Sequence, residues 1–139
     1  MLWSAPKRDG ESKGGVTLIY RDSPLFQLEN EKVQGPSLIT FELVVGEGDL
    51  TERWFVVGAY VAPSDRDGSI ARRIEELIAL RPKDLQALIL ANLNADLDCP
   101  RDRQEEILAG GMARYGLVCA SRHFVARRTR HVRGRWTYW

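Results

Sequence analysis

Apolar residues in the first half of the chain follow patterns that are typical of β-strands. Residues 15–20, 38–45 and 54–60 are rich in β-branched and aromatic side chains, and glycine-containing segments separate them. The second and third of these runs are joined by a short loop that contains Gly46 and Gly48. This spacing predicts an antiparallel hairpin of two long strands.

After the third strand the apolar residues recur every three or four positions, which predicts an amphipathic helix. The helix is expected to begin near Asp67 or Ser69 and to end before Pro82, because proline cannot continue a helix. A second helix is predicted over residues 101–115, with acidic residues in its first turns, where the helix dipole favours negative charge. Between the two helices, residues 85–90 form a short apolar run that is typical of a strand buried on both faces.

The order of these elements predicts an α/β protein of the α+β type, with a mixed, mainly antiparallel sheet and two main helices. Residues 1–13 are rich in Gly, Ser, Pro and charge, and are predicted to form a flexible segment ahead of a domain at residues 14–139. Further extended segments are predicted at residues 116–118 and 135–139. Two helices cover only one face of such a sheet, so self-association through the other, exposed face is expected.

Composition narrows the class of protein. The chain has 139 residues, of which 44% are hydrophobic and 28% are charged, as expected for one globular domain. It has no run of about 18 apolar residues, the length that a membrane span needs, and no apolar signal core behind Met1. Cys99 and Cys119 lack the paired spacing of a metal site, although Cys119, His123 and His131 leave a weak zinc alternative. We therefore expect an intracellular protein, in the nucleus or cytoplasm, without a membrane partner.

The charged residues are distributed unevenly. The net charge is only +1, but the last acidic residue is Glu106, and seven arginines follow it. Six of them lie in residues 122–135, among them Arg127, Arg128 and Arg130. Because guanidinium groups suit phosphate oxygens, this basic segment is predicted to bind nucleic acid. The alternative is a solvated loop that protects a sheet edge from aggregation.

Four short motifs occur in an order that resembles a known superfamily. They are Gly-Gly-Val at residues 14–16, Tyr-x-x-Pro at residues 60–63, Asn-Leu-Asn at residues 92–94 and Trp-Thr at residues 136–137. Together they resemble the endonuclease/exonuclease/phosphatase superfamily, and in particular the apurinic-endonuclease-like nuclease domain of non-LTR retrotransposons. The resemblance implies a four-layer α/β sandwich, of which this chain holds a part, and Mg²⁺-dependent hydrolysis of phosphodiester bonds in DNA.

The resemblance also assigns roles to individual residues. In this superfamily the Asp of a Gly-Asp-x-Asn motif orients or deprotonates the attacking water, and the Asn contacts the scissile phosphate. Here Asn94 occupies the Asn position, but Asn92 occupies the Asp position, and an amide can neither take up a proton nor offer a negative charge to a metal. Tyr60 is retained, and Ser64 stands where the family often has an Asn. Tyr60, Asn92 and Asn94 are therefore the candidate catalytic residues, and Ser64 joins the three arginines as a candidate substrate-binding residue.

The superfamily's metal-binding motifs have no counterpart in this sequence. A Gln-Glu-Thr-like motif belongs upstream of Gly14, and a last Asp and an Asp-His pair belong after the Trp-Thr strand, but the sequence matches neither. No metal ligand is therefore assigned. The resemblance predicts a degenerate or truncated copy in which Mg²⁺ binding is weak or absent and catalysis is impaired.

Each candidate residue also has a purely structural interpretation. Asn92 and Asn94 follow a strand, where asparagine often forms a turn or a cap. Tyr60 is equally typical of an aromatic side chain that packs on a strand, and Ser64 lies in a polar turn before a helix. At the level of function, the alternatives are a non-catalytic remnant that binds nucleic acid through the basic segment, and a truncated product that has no function of its own and pairs with another chain to cover its exposed sheet.

Overall fold

The main sheet of the protein has four strands. The computed structural model describes residues 15–21 and 23–120, together with the strand backbones at residues 2–4, 130–132 and 135–137. The strands of the main sheet lie in the order β3, β4, β5, β6, and comprise Phe26–Gly35, Leu38–Val45, Glu52–Tyr60 and Gln86–Asn92. The first two pairings are antiparallel and the β5–β6 pairing is parallel, so the sheet is mixed. With two helices, α1 (Ser69–Ala79) and α2 (Arg103–Arg114), this arrangement confirms the predicted α+β class.

Two short hairpins and one turn complete the described elements. Strand β1 (Leu2–Ser4) pairs antiparallel with β2 (Thr17–Ile19), and β7 (Arg130–Val132) pairs antiparallel with β8 (Arg135–Thr137). A 3₁₀ turn occupies Gly48–Leu50. Part of the predicted flexible N-terminal segment is therefore a strand.

The predicted hairpin is confirmed as β4 and β5, which run antiparallel in unbroken register from Leu38 opposite Ala59 to Val45 opposite Glu52. The loop between them requires glycine at Gly46, whose φ is 115° and where a side chain would overlap the carbonyl oxygen of Leu50.

The helices lie against one face of the sheet. Helix α1 buries a stripe of apolar side chains, Ala71, Ile74, Leu77 and Ile78, against Val57, Ala59 and Val61 of the β5 region. Each large side chain that is fully buried in this way contributes about 1.5–3 kcal/mol to folding. Helix α2 adds Leu108 to the same core. Helix α1 ends three residues before Pro82, as the sequence predicts.

The opposite face is covered only in part by the described residues. Ile39, Phe41 and Val56 are buried there. Leu18 of β2 and Val16, which precedes that strand, pack on them. The absence of a side chain at Gly58 leaves room for Ile39, because a Cβ at position 58 would lie 2.7 Å from Cγ1 of Ile39. At the margins of the face, Phe26 and Leu90 remain 48% and 52% exposed. This asymmetry agrees with the expectation that the helices cover one face.

Two sequence predictions at the element level were wrong. The run that became β6 was predicted to be buried on both faces, but all seven of its residues are exposed or only half-buried, and within the described residues β6 pairs with β5 alone, at the edge of the sheet. Residues 116–118 were predicted to be extended, whereas the described backbone has a turn at Gly116 with φ 62° and no strand there. Glycine in this conformation is a common end for a helix. No helix in the described part of the chain is long and apolar enough to cross a membrane.

Candidate functional site

The Tyr-x-x-Pro and Asn-Leu-Asn motifs meet where the neighbouring parallel strands β5 and β6 end. Parallel strands end at the same edge, and the register of β5 and β6 places Tyr60 directly beside Asn92. One residue further on, the backbone N–H of Val61 donates to the carbonyl oxygen of Asn92 at 2.9 Å. Tyr60 and Asn92, both half-buried, therefore lie side by side where β5 and β6 end.

Asn94 joins this pair by folding back onto the end of β5. Its backbone has φ 45°, in the left-handed region that asparagine tolerates better than most residues. Its side-chain Nδ2 donates to the carbonyl oxygen of Val61 at 2.8 Å, and its backbone N–H donates to Oδ1 of Asn92 at 3.3 Å. The structure thus brings Tyr60, Asn92 and Asn94 together, and it also assigns turn-forming contacts to both asparagines.

Ser64 lies in the turn that follows β5 and is exposed. Neighbouring contacts hold that turn closed: Asp65 N–H donates to the carbonyl oxygen of Ala62 at 2.9 Å, and Nε of Arg66 donates to the carbonyl oxygen of Pro63 at 2.7 Å. Ser64 is accordingly presented to solvent by a turn with its own internal hydrogen bonds.

Sequence analysis missed a charged cluster that joins this turn to the start of α2. Nη1 of Arg66 lies 2.6 Å from Oδ2 of Asp102 and 3.7 Å from Oε1 of Glu105. Asp102 is the N-cap of α2, and its side chain accepts the backbone N–H of Glu105. The sequence does contain a signal for the helix start in this cluster: the spacing Asp-x-x-Glu at residues 102–105 is typical of a capping box.

Burial and hydrogen bonding act in opposite directions on Asp102. Desolvation raises the pKa of its carboxyl group, but hydrogen bonds from the Glu105 backbone and the Arg66 guanidinium outweigh it and hold the pKa below its ordinary value. The charged form of the Asp102 carboxylate, which pairs with Arg66, is therefore favoured.

Glu105 is a buried carboxylate with a structural task. It is 1% exposed, and its two oxygens accept backbone N–H groups from Asp96 at 3.1 Å and Arg101 at 2.7 Å. These bonds fasten the segment between β6 and α2. Because both oxygens are used in this way, we assign Glu105 to the scaffold of the site and not to its chemistry.

The described residues do not by themselves form a site for the implied Mg²⁺. Within that part of the chain, no group of three or more His, Cys, Asp or Glu side chains is placed to hold a metal ion. The candidates at the strand ends, Asn92 and Asn94, are neutral amides, whereas Mg²⁺ in proteins is usually bound through carboxylates. The described part of the chain therefore supplies no cluster of carboxylates for the ion at these strand ends.

The candidate arginines lie outside the residues whose side chains the structure describes. Arg127 and Arg128 fall between the described ranges, and Arg130 is described only as the first backbone position of β7. His123 and the side chain of His131 are likewise outside them, so the zinc alternative is untested.

A second polar feature lies at the other end of the same strands. An open depression there is lined by Glu52, Arg53, Trp54, Asp84 and Gln86. A hydrogen bond from Arg53, which lies 2.8 Å from Oε2 of Glu42, lowers the pKa of Glu42 despite partial desolvation. The depression is separated from Asn92 by the length of β6, so it is not part of the candidate site.

No protein-family model and no curated protein matches this chain. The resemblance to the nuclease superfamily therefore stays a prediction from the four sequence motifs.

Proposed function

We propose that this chain is a phosphodiester-cleaving domain of the DNA endonuclease type whose catalysis is impaired. The observation that supports the proposal is the parallel register that puts Tyr60 beside Asn92, with Asn94 folded against the end of β5. Two motifs that lie about thirty residues apart in the sequence thus supply neighbouring side chains at one sheet edge. Ligands commonly bind at the carboxyl ends of parallel strands.

In the proposed site, Tyr60 and Asn94 contact the phosphate of the DNA backbone. A phenol hydroxyl and an amide both hydrogen-bond to phosphate oxygens without carrying charge. Ser64, exposed in the turn after β5, is placed to add a hydroxyl donor. Positive charge comes from Arg127, Arg128 and Arg130 of the basic segment.

The impairment follows from the chemistry of Asn92. Hydrolysis needs a group that takes a proton from the attacking water, and a carboxylate in this position would do so. The amide of Asn92 has no such capacity. Removing a general base typically lowers a rate by about 10²- to 10⁴-fold, so slow, residual cleavage is the expected activity.

The proposal is tested by nicking of supercoiled plasmid DNA, with Mg²⁺ or with EDTA. We expect slow nicking that requires Mg²⁺ and that falls about ten- to a hundredfold in Tyr60→Phe, because a hydrogen bond to a charged group is worth about 1.5–3 kcal/mol. Tyr115→Phe is the matched control, since Tyr115 packs with the helices at the core, and it should nick like the wild type. Nicking that is equal with EDTA, or absent in all three proteins, would contradict the proposal.

A second candidate function is nucleic-acid binding without catalysis. It is favoured by the six arginines in residues 122–135, a stretch that contains no acidic residue. Such binding is electrostatic and weakens steeply as salt rises. A salt titration of DNA binding distinguishes the two candidates: the second predicts a steep salt slope, no requirement for Mg²⁺ and no nicking.

A further inference from the structure

The two edges of the main sheet differ in a way that bears on association. Edge strand β3 carries charged residues, including Glu29, Glu31 and Lys32, and its pairing with β4 has a register shift between Glu29 and Lys32. Charges and bulges of this kind protect a sheet edge from pairing with another chain. Edge strand β6 has neither device: its seven residues, Gln86–Asn92, are uncharged, and their pairing with β5 is unbroken.

The backbone of β6 offers hydrogen-bonding groups on its outer side. The carbonyl oxygen of Asn92 is directed towards β5, because it accepts the N–H of Val61 at 2.9 Å. Alternate residues of a strand direct their backbone groups to opposite sides. Ala87, Ile89 and Ala91 therefore direct theirs away from β5, where the described part of the chain supplies no further strand.

We propose that β6 pairs antiparallel with β6 of a second copy of this chain, about a two-fold axis at Ile89. A two-fold interface must be complementary to itself, and the sequence Gln-Ala-Leu-Ile-Leu-Ala-Asn reads almost the same in both directions. The axis places Ala87 opposite Ala91 and Leu88 opposite Leu90, with Ile89 opposite its own copy. All three outward-facing residues then exchange backbone hydrogen bonds in a regular ladder.

The same register covers apolar surface and joins opposite charges. Leu90, which is 52% exposed, packs beside Leu88 of the second copy. Arg81, Lys83 and Asp84 precede β6 with one more positive than negative charge, whereas Asp96 and Asp98 follow it, so antiparallel pairing brings the net positive end of each copy to the acidic end of the other. Specific interfaces bury about 1,200–2,000 Å² in total. Because this pairing uses a single strand of seven residues from each copy, we expect a weak dimer that forms at micromolar concentrations.

Sedimentation equilibrium of the full chain, from about 1 to about 200 μM, tests the pairing over the range that a small interface implies. We expect a concentration-dependent dimer for the wild type and its loss in Leu90→Lys and in Ala91→Pro. Both positions are exposed, and the Ala91 N–H points away from β5, so proline there removes a bond only to the second copy. Val33→Lys is the matched control, because Val33 is 43% exposed on the other edge strand; it should still form the dimer.

Hydrogen exchange at the amides of Ala87, Ile89 and Ala91 identifies what covers the edge. We expect these amides to be protected in the dimer and to lose protection on dilution. A monomer at all concentrations would overturn the proposal. In that case protected amides would show that another segment of this chain covers the β6 edge, and unprotected amides would show that nothing covers it. A dimer that survives both β6 substitutions, with circular dichroism unchanged, would place the interface elsewhere, as would loss of the dimer in Val33→Lys.

Discussion

Asn94 combines an unusual backbone with a specific hydrogen bond. Its φ of 45° and its Nδ2 contact to the Val61 carbonyl oxygen, 2.8 Å away, both favour asparagine at this position. The contact ties the end of β6 to the end of β5, so the residue shapes the candidate site whether or not it also touches phosphate. A substitution at this position therefore changes both the backbone preference and the hydrogen bond.

We expect Asn94→Ala to lower the free energy of unfolding by about 1–3 kcal/mol, because it removes the hydrogen bond and leaves a Cβ in the left-handed region without compensation. Asn94→Gly removes the same hydrogen bond but relieves the backbone, so its loss should be smaller. Urea denaturation of the two variants measures the difference. If alanine is tolerated as well as glycine, then backbone conformation does not restrict this position.

At the level of elements, the ion pair between Arg66 and Asp102 joins the turn after β5 to the start of α2. The folded state depresses the pKa of Asp102, so the charged carboxylate contributes stability above the ordinary pKa of an aspartate, about 4. That contribution is lost as the pH falls through the lower, folded-state pKa. The connection between the turn and α2 should therefore weaken in acid.

Urea denaturation at pH 6 and at pH 3 measures this contribution. Asp102→Asn keeps an N-cap, since asparagine caps a helix as well as aspartate does, but it removes the titrating charge. We expect the stability of this variant to fall less between the two pH values than that of the wild type. Asp49→Asn, in the exposed loop between β4 and β5, is the control and should follow the wild type. Equal acid sensitivity in Asp102→Asn and wild type would show that the negative charge of Asp102 does not stabilise the fold.

The sequence predicted those elements whose apolar residues are periodic. Strand β4 has the predicted bounds, and α1 and α2 lie within the predicted ranges. Strand β3 was not predicted, because Glu29, Glu31 and Lys32 interrupt its apolar pattern; such charges suit an edge strand. For β6 the opposite error arose, because an apolar run does not reveal how much of a strand the rest of the fold covers.

The candidate site was predictable only as separate motifs. The sequence identified Tyr60, Asn92 and Asn94 by resemblance, and a turn around the asparagines by residue type. The contact between Asn94 and Val61 could not be predicted, because it depends on the parallel pairing of strands that α1 separates in the sequence. The same holds for Arg66 and Glu105, which come together only when α2 packs against the helix and strands before it.

At the scale of the whole molecule, the described residues form a sheet with helices on one face, a partly covered second face and an apolar edge. The candidate site and the proposed dimer edge share β6, but they use different atoms. Asn92 presents its side chain at the end of the strand, whereas pairing uses the outward backbone groups of Ala87, Ile89 and Ala91. If Leu90→Lys abolishes dimerisation, the functional proposal is therefore unaffected, and it is tested separately by DNA nicking.

The most direct test of that proposal restores the missing carboxylate. Asn92→Asp has the same shape, and its Oδ1 can still accept the N–H of Asn94. Gln86→Glu is the matched control, because it makes the same change from amide to acid at the far end of β6. If the site is that of an impaired nuclease, Asn92→Asp should raise Mg²⁺-dependent plasmid nicking by about 10²- to 10⁴-fold, the range that a general base contributes, and Gln86→Glu should not. No gain in Asn92→Asp, with the fold intact by circular dichroism, would contradict the assignment of this strand end as a phosphodiester-cleaving site.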